Sequence, residues 1–152
     1  MIKRRVLSKL LEHLASDQIT VIVGSRQVGK TFIMRMLEES VKLSGRKTLW
    51  MNLDIEEDFK KFKSQENLLA YIKLSVGTER AVVFIDEIQK KENAGIFLKG
   101  LYDMNLPYKF VVSGSGSMEL KTTIPESLAG RKQMFFVTPV NFDEFVNFKT
   151  DY

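Results

Sequence analysis

The chain has 152 residues, enough for one domain with a sizeable hydrophobic core. Its composition, with 44% hydrophobic residues, 28% charged residues and no cysteine, excludes disulfide frameworks and thiolate metal sites and is typical of a cytoplasmic globular protein. The net charge of +4 is mild and does not by itself indicate a nucleic-acid partner, and no apolar run approaches the ~18 residues of a membrane span, so we expect no membrane partner.

The spacing of hydrophobic residues predicts helices and strands that alternate along the chain. Apolar residues three and four apart predict amphipathic helices, and short β-branched or continuous apolar runs predict buried strands. In chain order, we expect a helix over residues 4–16, a strand over 19–23, a helix over 32–44, a strand over 47–54, a helix over 66–75, a strand over 81–86, a helix over 94–104, a strand over 108–113 and a strand over 133–140. This alternation predicts an α/β fold with an open parallel sheet and right-handed crossovers.

The connections between these elements indicate a single domain. Residues 54–58 are predicted to form an acidic loop, and residues 1–18 an N-terminal helical segment. Residues 141–144 match a helix-capping box, so residues 141–152 are expected to begin a further segment that the chain end truncates. Because there is no internal repeat, linker or low-complexity stretch, residues 1–152 are predicted to form one domain.

The most informative motif lies between the first predicted strand and the next helix. It matches the pattern G-x-x-x-x-G-K-[ST] at every fixed position. Its residues, with the one that follows, are Gly24, Ser25, Arg26, Gln27, Val28, Gly29, Lys30, Thr31 and Phe32. A glycine-rich turn that opens a helix surrounds an anion with backbone N–H groups and the positive end of a helix dipole. We therefore predict a nucleotide site, with Lys30 on the β- and γ-phosphates and the Thr31 hydroxyl on Mg²⁺. The alternative, a turn with an exposed lysine, does not account for Thr31 or the strand.

Two carboxylates follow the third predicted strand. Asp86 ends an apolar run, at the edge where ligand crevices open in parallel sheets. A carboxylate there suits Mg²⁺, which favours oxygen ligands. Alternation turns Glu87 the other way, where it would orient or deprotonate an attacking water. The alternative is a strand-ending turn with two exposed acids.

Later residues complete the predicted site. Ser113 and Ser115 end the fourth predicted strand, and a hydroxyl of either would reach the γ-phosphate or the attacking water; the alternative is a flexible Gly-Ser turn. Arg131 would reach a phosphate of its own or a neighbouring subunit, because its planar fork suits developing phosphoryl charge. The alternative is a surface arginine that pairs with Glu126.

Six motifs occur in order along the chain and carry a family resemblance. They are residues 24–31, 52–54, 84–89, 112–115, 126–131 and 139–145. Together they resemble the bacterial and archaeal AAA-type ATPases, whose full-length members carry further domains, including a C-terminal domain of unknown function. The resemblance covers about residues 15–146 and implies a three-layer αβα P-loop NTPase fold, with a five-stranded parallel sheet of order 5-1-4-3-2. It assigns Lys30 and Thr31 to phosphate and Mg²⁺, Asp86 to Mg²⁺, Glu87 to the water, and Ser113 or Ser115 to γ-phosphate sensing.

The resemblance implies Mg²⁺-dependent ATP binding and hydrolysis that drives a conformational switch or motor. A homo-oligomer would supply an arginine in trans, and the effector, a protein or a nucleic acid, is not identified by the sequence. Two other functions stay open. One is a non-catalytic nucleotide-binding module that serves as an interaction platform, and the other is a small-molecule kinase built on the same loop.

Overall fold

A computed structural model describes residues 5–25, 29–115 and 124–137, and these form a five-stranded sheet between two layers of helices. In chain order the elements are α1 (Arg5–His13), β1 (Ile19–Gly24), α2 (Lys30–Leu43), β2 (Lys47–Asn52), α3 (Glu56–Lys60), α4 (Gln65–Val76), β3 (Ala81–Asp86), α5 (Ala94–Asp103), β4 (Tyr108–Ser115) and β5 (Lys132–Phe136). A short 3₁₀ turn, Ile88–Lys90, follows β3.

All neighbouring strands run parallel, in the order β2-β3-β4-β1-β5. Read from the other side, this is 5-1-4-3-2, so the predicted fold class is confirmed. In the register, Gly24 lies opposite Ser115, and Asn52 lies opposite Asp86. The carboxyl ends of β1, β2, β3 and β4 therefore lie side by side along one side of the sheet. We call this row of strand ends the carboxyl edge. The opposite edge, where the strands begin, we call the amino edge.

The sheet is buried on both faces, which explains the continuous apolar runs of its central strands. On β3, Val82 and Phe84 point to the face that packs against α1 and α2. Val83 and Ile85 point to the face that packs against α4 and α5. The helices contribute the buried residues Leu10, Ile33, Met34 and Leu37 on the first face and Leu68, Ile72, Leu98 and Leu101 on the second. Helices therefore pack on both faces of the central strands.

The structure differs from the sequence predictions in residues 52–58. The second strand ends at Asn52 because the chain turns there: the Ile55 backbone N–H donates to the Asn52 carbonyl at 2.9 Å. The backbone N–H of Asn52 donates to the Asp58 carboxylate at 2.9 Å. The predicted acidic loop contains the start of α3, whose first turn carries Glu56, Glu57 and Asp58. Acidic side chains favour a helix N-terminus because they offset the positive end of its dipole.

The other differences concern the ends of β4 and β5. The fourth strand continues to Ser115, two residues beyond its predicted end, because β1 supplies pairing partners as far as Gly24. The fifth strand begins at Lys132 and ends at Phe136. Residues 138–140 of the predicted fifth strand and the predicted segment 141–152 lie outside the described residues. Across the described part of the chain, none of the helices has the length and apolar character that a membrane crossing requires.

Candidate functional site

The phosphate-loop motif begins where β1 ends and closes where α2 begins. Gly29 precedes the helix with φ 86°, a left-handed conformation that glycine adopts without steric cost. Lys30 and Thr31 then open the 14-residue helix α2, whose first turn contains no acidic residue. No acidic side chain of that turn therefore offsets the positive end of the helix dipole.

The Lys30 side chain is buried, and it lies back over the loop that precedes it. Only 6% of the residue is exposed. Its ammonium group donates to the carbonyl oxygens of Gly24 at 2.9 Å and Ser25 at 2.8 Å. Three of the predicted loop residues, Arg26, Gln27 and Val28, lie outside the described residues. The described part of the loop thus places a buried cation beside the start of α2.

Asp86 joins three elements at the carboxyl edge. Its side chain is almost fully buried, and Oδ2 accepts a hydrogen bond from the Thr31 hydroxyl at 2.7 Å. Oδ1 accepts from the Ser113 hydroxyl and from the backbone N–H of Glu87, the latter at 3.0 Å. A buried carboxylate requires such donors to offset its loss of hydration. The contact with Thr31 brings the end of β3 to the phosphate-loop motif, as the sequence predicts.

The donor set at Thr31 and Asp86 fits Mg²⁺. A hydroxyl and a carboxylate oxygen lie within hydrogen-bond distance of each other, and Mg²⁺ favours few protein oxygens completed by phosphates and waters. Among the described residues, no group of three or more His, Cys, Asp or Glu side chains is arranged to hold a metal ion by itself. The residues present therefore suit an ion that arrives with a phosphate ligand better than an all-protein metal cage.

Glu87 leaves the strand in a conformation that simple alternation does not predict. Its backbone has φ 59° and ψ 45°, in the left-handed region, where a residue other than glycine pays about 1–3 kcal/mol. The turn is closed by the Lys90 backbone N–H, which donates to the Glu87 carbonyl at 3.1 Å. Backbone strain of this kind clusters at functional sites. The Glu87 side chain is half-buried and accepts a hydrogen bond from the Gln89 amide.

The two serines of β4 occupy different positions. Ser113 is fully buried and donates to Asp86, so it lies behind that carboxylate. A γ-phosphate contact by Ser113 stays a prediction. Ser115 is half-buried at the end of the strand, where its hydroxyl accepts from the Gln89 amide at 2.9 Å. A phosphate contact by Ser115 stays a prediction.

Arg131 is the predicted site residue that the structure does not bring to the loop. Its carbonyl oxygen accepts from the backbone N–H of Ile19, the first residue of β1, so it lies at the amino edge. The six residues of β1 separate it from Gly24 by about 17 Å. Its guanidinium pairs with Asp103 at 2.9 Å and donates to the Ala129 carbonyl. A role toward a phosphate of its own chain is excluded by this position, and a role in a neighbouring subunit stays a prediction.

Two further residues complete the description. Phe32 lies in the first turn of α2 and is half-exposed beside Thr31, so its contact with a nucleotide stays a prediction.

Gln89 is a residue that the sequence patterns do not single out, although it forms hydrogen bonds with both Glu87 and Ser115. Its one sequence signal is its place two residues after the acid pair, within the motif over residues 84–89. A glutamine at that spacing has no chemical assignment until its partners are known.

Comparisons with known proteins show the family. A sequence model described as an AAA domain matches residues 16–146. Uncharacterized protein MJ1544 of Methanocaldococcus jannaschii is 31% identical over 149 residues, which are 97% of this chain and 32% of that protein. Uncharacterized protein Rv2008c of Mycobacterium tuberculosis is 28% identical over 133 residues, which are 87% of this chain and 27% of that protein. The chain spans about a third of the length of the curated relatives it matches.

Solved structures show the same fold. A DNA replication initiation factor superposes on 96% of this chain and 48% of its own, with a TM-score of 0.58 and 18% identity. Saccharomyces cerevisiae RIF2 superposes on 97% of this chain and 60% of its own, with a TM-score of 0.60 and 13% identity. The sheet order, the loop between β1 and α2 and these superpositions agree on a P-loop ATPase fold. With the family match over most of its length, this chain belongs to the AAA domain family.

Proposed function

We propose that this domain binds ATP with Mg²⁺ at the carboxyl edge and hydrolyses the bond between the β- and γ-phosphates. The observation that carries the proposal is the 2.7 Å hydrogen bond between the Thr31 hydroxyl and Asp86, which unites the phosphate loop and the acidic end of β3. Family membership supports the choice of a nucleotide as the ligand. Adenine is chosen over guanine on the family resemblance alone.

Nucleotide binding rests on Lys30 and the start of α2. The Lys30 ammonium donates to two backbone carbonyl oxygens, and phosphate oxygens are stronger acceptors because the bond is charge-assisted at both ends. We propose that Lys30 exchanges these carbonyls for phosphate oxygens when ATP binds. The backbone N–H groups at the helix start add donors that do not need to be reoriented.

Metal binding rests on Thr31 and Asp86. Bound Mg²⁺ would neutralise charge on the phosphates and fix their geometry. Ser113 and the Glu87 backbone N–H hold Oδ1 of Asp86, so the other oxygen, Oδ2, is directed toward Thr31. The carboxylate is therefore oriented before any ligand arrives, and little ordering cost remains for binding.

Hydrolysis rests on Glu87. Glu87 directly follows the residue that we assign to the metal, its left-handed backbone takes the chain out of the strand, and its side chain is half-buried. A carboxylate placed there would orient the attacking water and accept its proton, as phosphoryl transfer requires. Ser115, at the end of the neighbouring strand, supplies a hydroxyl on the same side.

At the level of the whole protein, we propose that ATP turnover serves as a conformational switch in the cytoplasm. Self-association is part of this proposal, since Arg131 reaches a phosphate only across a subunit boundary. The effector, a protein or a nucleic acid, is left open.

The test is phosphate release from ATP with no acceptor added, compared between wild type and Glu87→Gln. We expect release to fall about 10²–10³-fold in the variant while ATP affinity, measured by isothermal titration, is retained. Glu92→Gln is the matched control, because Glu92 is an exposed glutamate five residues further along the same connection. It is expected to match wild type.

Two outcomes would support the other functions. Tight ATP binding without phosphate release, unchanged by Glu87→Gln, would identify a non-catalytic module. Transfer of phosphate to an added small-molecule acceptor, with hydrolysis only as a side reaction, would identify a kinase. Failure of the wild type to bind ATP would overturn the proposal altogether.

A further inference from the structure

The side-chain amide of Gln89 links the proposed base to the end of β4. Its nitrogen donates to the Glu87 carboxylate and to the Ser115 hydroxyl, the latter at 2.9 Å. Its oxygen accepts from the Ser115 backbone N–H at 3.3 Å. One side chain thus engages Glu87 on one side and the hydroxyl and backbone N–H of Ser115 on the other.

The chemistry of the partners fixes which way the amide faces. A backbone N–H can only donate, so the oxygen of Gln89 must face Ser115 N. An ionised carboxylate can only accept, so the nitrogen of Gln89 must face Glu87. The amide has two N–H donors, and both are used within the site. A flipped amide would lose the Ser115 backbone bond and set an oxygen against the carboxylate.

The turn that carries Gln89 is anchored in the core. Ile88, the residue between Glu87 and Gln89, is fully buried against the α4 and α5 face of the sheet. Glu87 itself is held by its backbone bonds to Asp86 and Lys90. The backbone on both sides of the amide is therefore fixed, and among the described residues the Gln89 amide is the hydrogen-bond partner of the Glu87 carboxylate.

We propose that Gln89 is a positioning residue that orients the Glu87 carboxylate and couples it to Ser115. The inference rests on the proposed hydrolysis of ATP. Gln89 occupies Oε2 of Glu87, while Oε1 has no hydrogen-bond partner among the described residues. That arrangement leaves one oxygen to accept the proton of a water and holds the other still. In this proposal, the Gln89 amide transmits a movement of Ser115 to the Glu87 carboxylate.

The first test is Gln89→Met, which keeps the length of the side chain and removes all three hydrogen bonds. We expect kcat for ATP hydrolysis to fall about tenfold, the effect of losing a hydrogen bond to a charged group, with KM changed less than about twofold. Gln65→Met is the matched control, because Gln65 is also half-buried and donates its amide to the Phe97 carbonyl, away from the site. It is expected to leave kcat unchanged.

The second test separates positioning from a purely structural role. In a Glu87→Gln background, Gln89→Met should cause no further fall in kcat, because the group through which it acts has been removed. Ser115→Ala and Gln89→Met together should cost less than the product of the two single effects, as expected for residues that act as one unit. A structural role would instead lower the melting temperature and reduce kcat in the Glu87→Gln background as well.

The outcomes distinguish this inference from the proposed function. A wild type that releases no phosphate overturns both. If the wild type hydrolyses ATP and Gln89→Met hydrolyses it at the same rate, the role of Gln89 is overturned while the proposed function stands. Independent, multiplicative effects of Ser115→Ala and Gln89→Met would likewise contradict it.

Discussion

The two edges of the sheet carry polar residues of different kinds. At the carboxyl edge, side chains from α2, β3, β4 and the turn that follows β3 form hydrogen bonds with one another. Thr31 bonds to Asp86, and Gln89 bonds to Glu87. At the amino edge, Arg46 and Arg80 line a cavity of about 690 Å³, and Arg131 forms an ion pair with Asp103. Parallel strands bring several chain segments to one place at each edge, and within the described ranges the carboxyl edge combines a helix start with an acid that suits a metal.

Lys109 shows how the amino edge uses its charge. It is 7% exposed, and its ammonium donates to the Gln18 carbonyl and lies 3.5 Å from Nδ1 of His13. Burial lowers the pKa of Lys109 to about 8. Burial and the nearby Lys109 charge also lower the pKa of His13, which bonds Thr20 at 2.6 Å. These contacts join the connection between α1 and β1 to β4, so the role of Lys109 is structural.

The largest effect is expected from Lys30→Met at the carboxyl edge. The methionine keeps much of the side-chain volume but removes the ammonium that we assign to the phosphates, so turnover should fall more than about 100-fold. ATP affinity should fall with it. Lys99→Met, an exposed lysine on α5, is the control. Equal turnover in Lys30→Met and wild type would remove the loop from the mechanism.

A smaller effect is expected from Ser113→Ala. The variant takes one donor from a buried carboxylate without touching the groups that face solvent, so kcat should fall about tenfold. The dependence of kcat on Mg²⁺ concentration should shift to higher concentrations, since Asp86 is less well oriented. Ser75→Ala, which removes an exposed hydroxyl bonded to the Tyr71 carbonyl, should leave both unchanged. A shift as large in Ser75→Ala would contradict the assignment.

At the amino edge, the expected effect is on stability and its pH dependence. The pKa of Lys109 falls from 10.5 in the unfolded chain to about 8 in the folded protein, so the folded state binds fewer protons between these values. The free energy of unfolding should therefore rise with pH across that window. Urea unfolding at several pH values measures this rise, which should be smaller in Lys109→Met. An identical pH dependence in both proteins would show that Lys109 keeps its usual pKa.

The smallest effect is expected from Arg131→Ala. The lost ion pair with Asp103 is partly exposed, so unfolding should become easier by no more than about 0.5 kcal/mol. At protein concentrations where the chain is monomeric, ATP turnover should change less than about twofold. A fall in turnover confined to concentrations at which the chain self-associates would place Arg131 in a neighbouring active site. A large fall in the monomer would contradict its position at the amino edge.

The sheet order was implied by the family resemblance, whereas the meeting of Thr31 with Asp86 follows from the strand ends and a strong motif. The sequence did not predict the left-handed turn at Glu87, since alternation along β3 applies only while the backbone stays extended. The burial of Ser113 depends on pairing between β1 and β4, which a linear pattern does not contain. The predicted contact of Arg131 with a phosphate of its own chain does not fit its position at the amino edge. Its motif indicates where a loop ends but not at which edge of the sheet the loop lies.

Isothermal titration of ATP into wild type and Asp86→Asn, with Mg²⁺ and with EDTA, tests the central claim most directly. Asparagine keeps the shape of the side chain and an acceptor oxygen but removes the charge that we assign to the metal. The account predicts one ATP per wild-type chain, bound more tightly with Mg²⁺ than with EDTA, and an Asp86→Asn protein whose affinity is the same in both. Wild-type affinity that does not depend on Mg²⁺, or a Mg²⁺ dependence retained by Asp86→Asn, would contradict it.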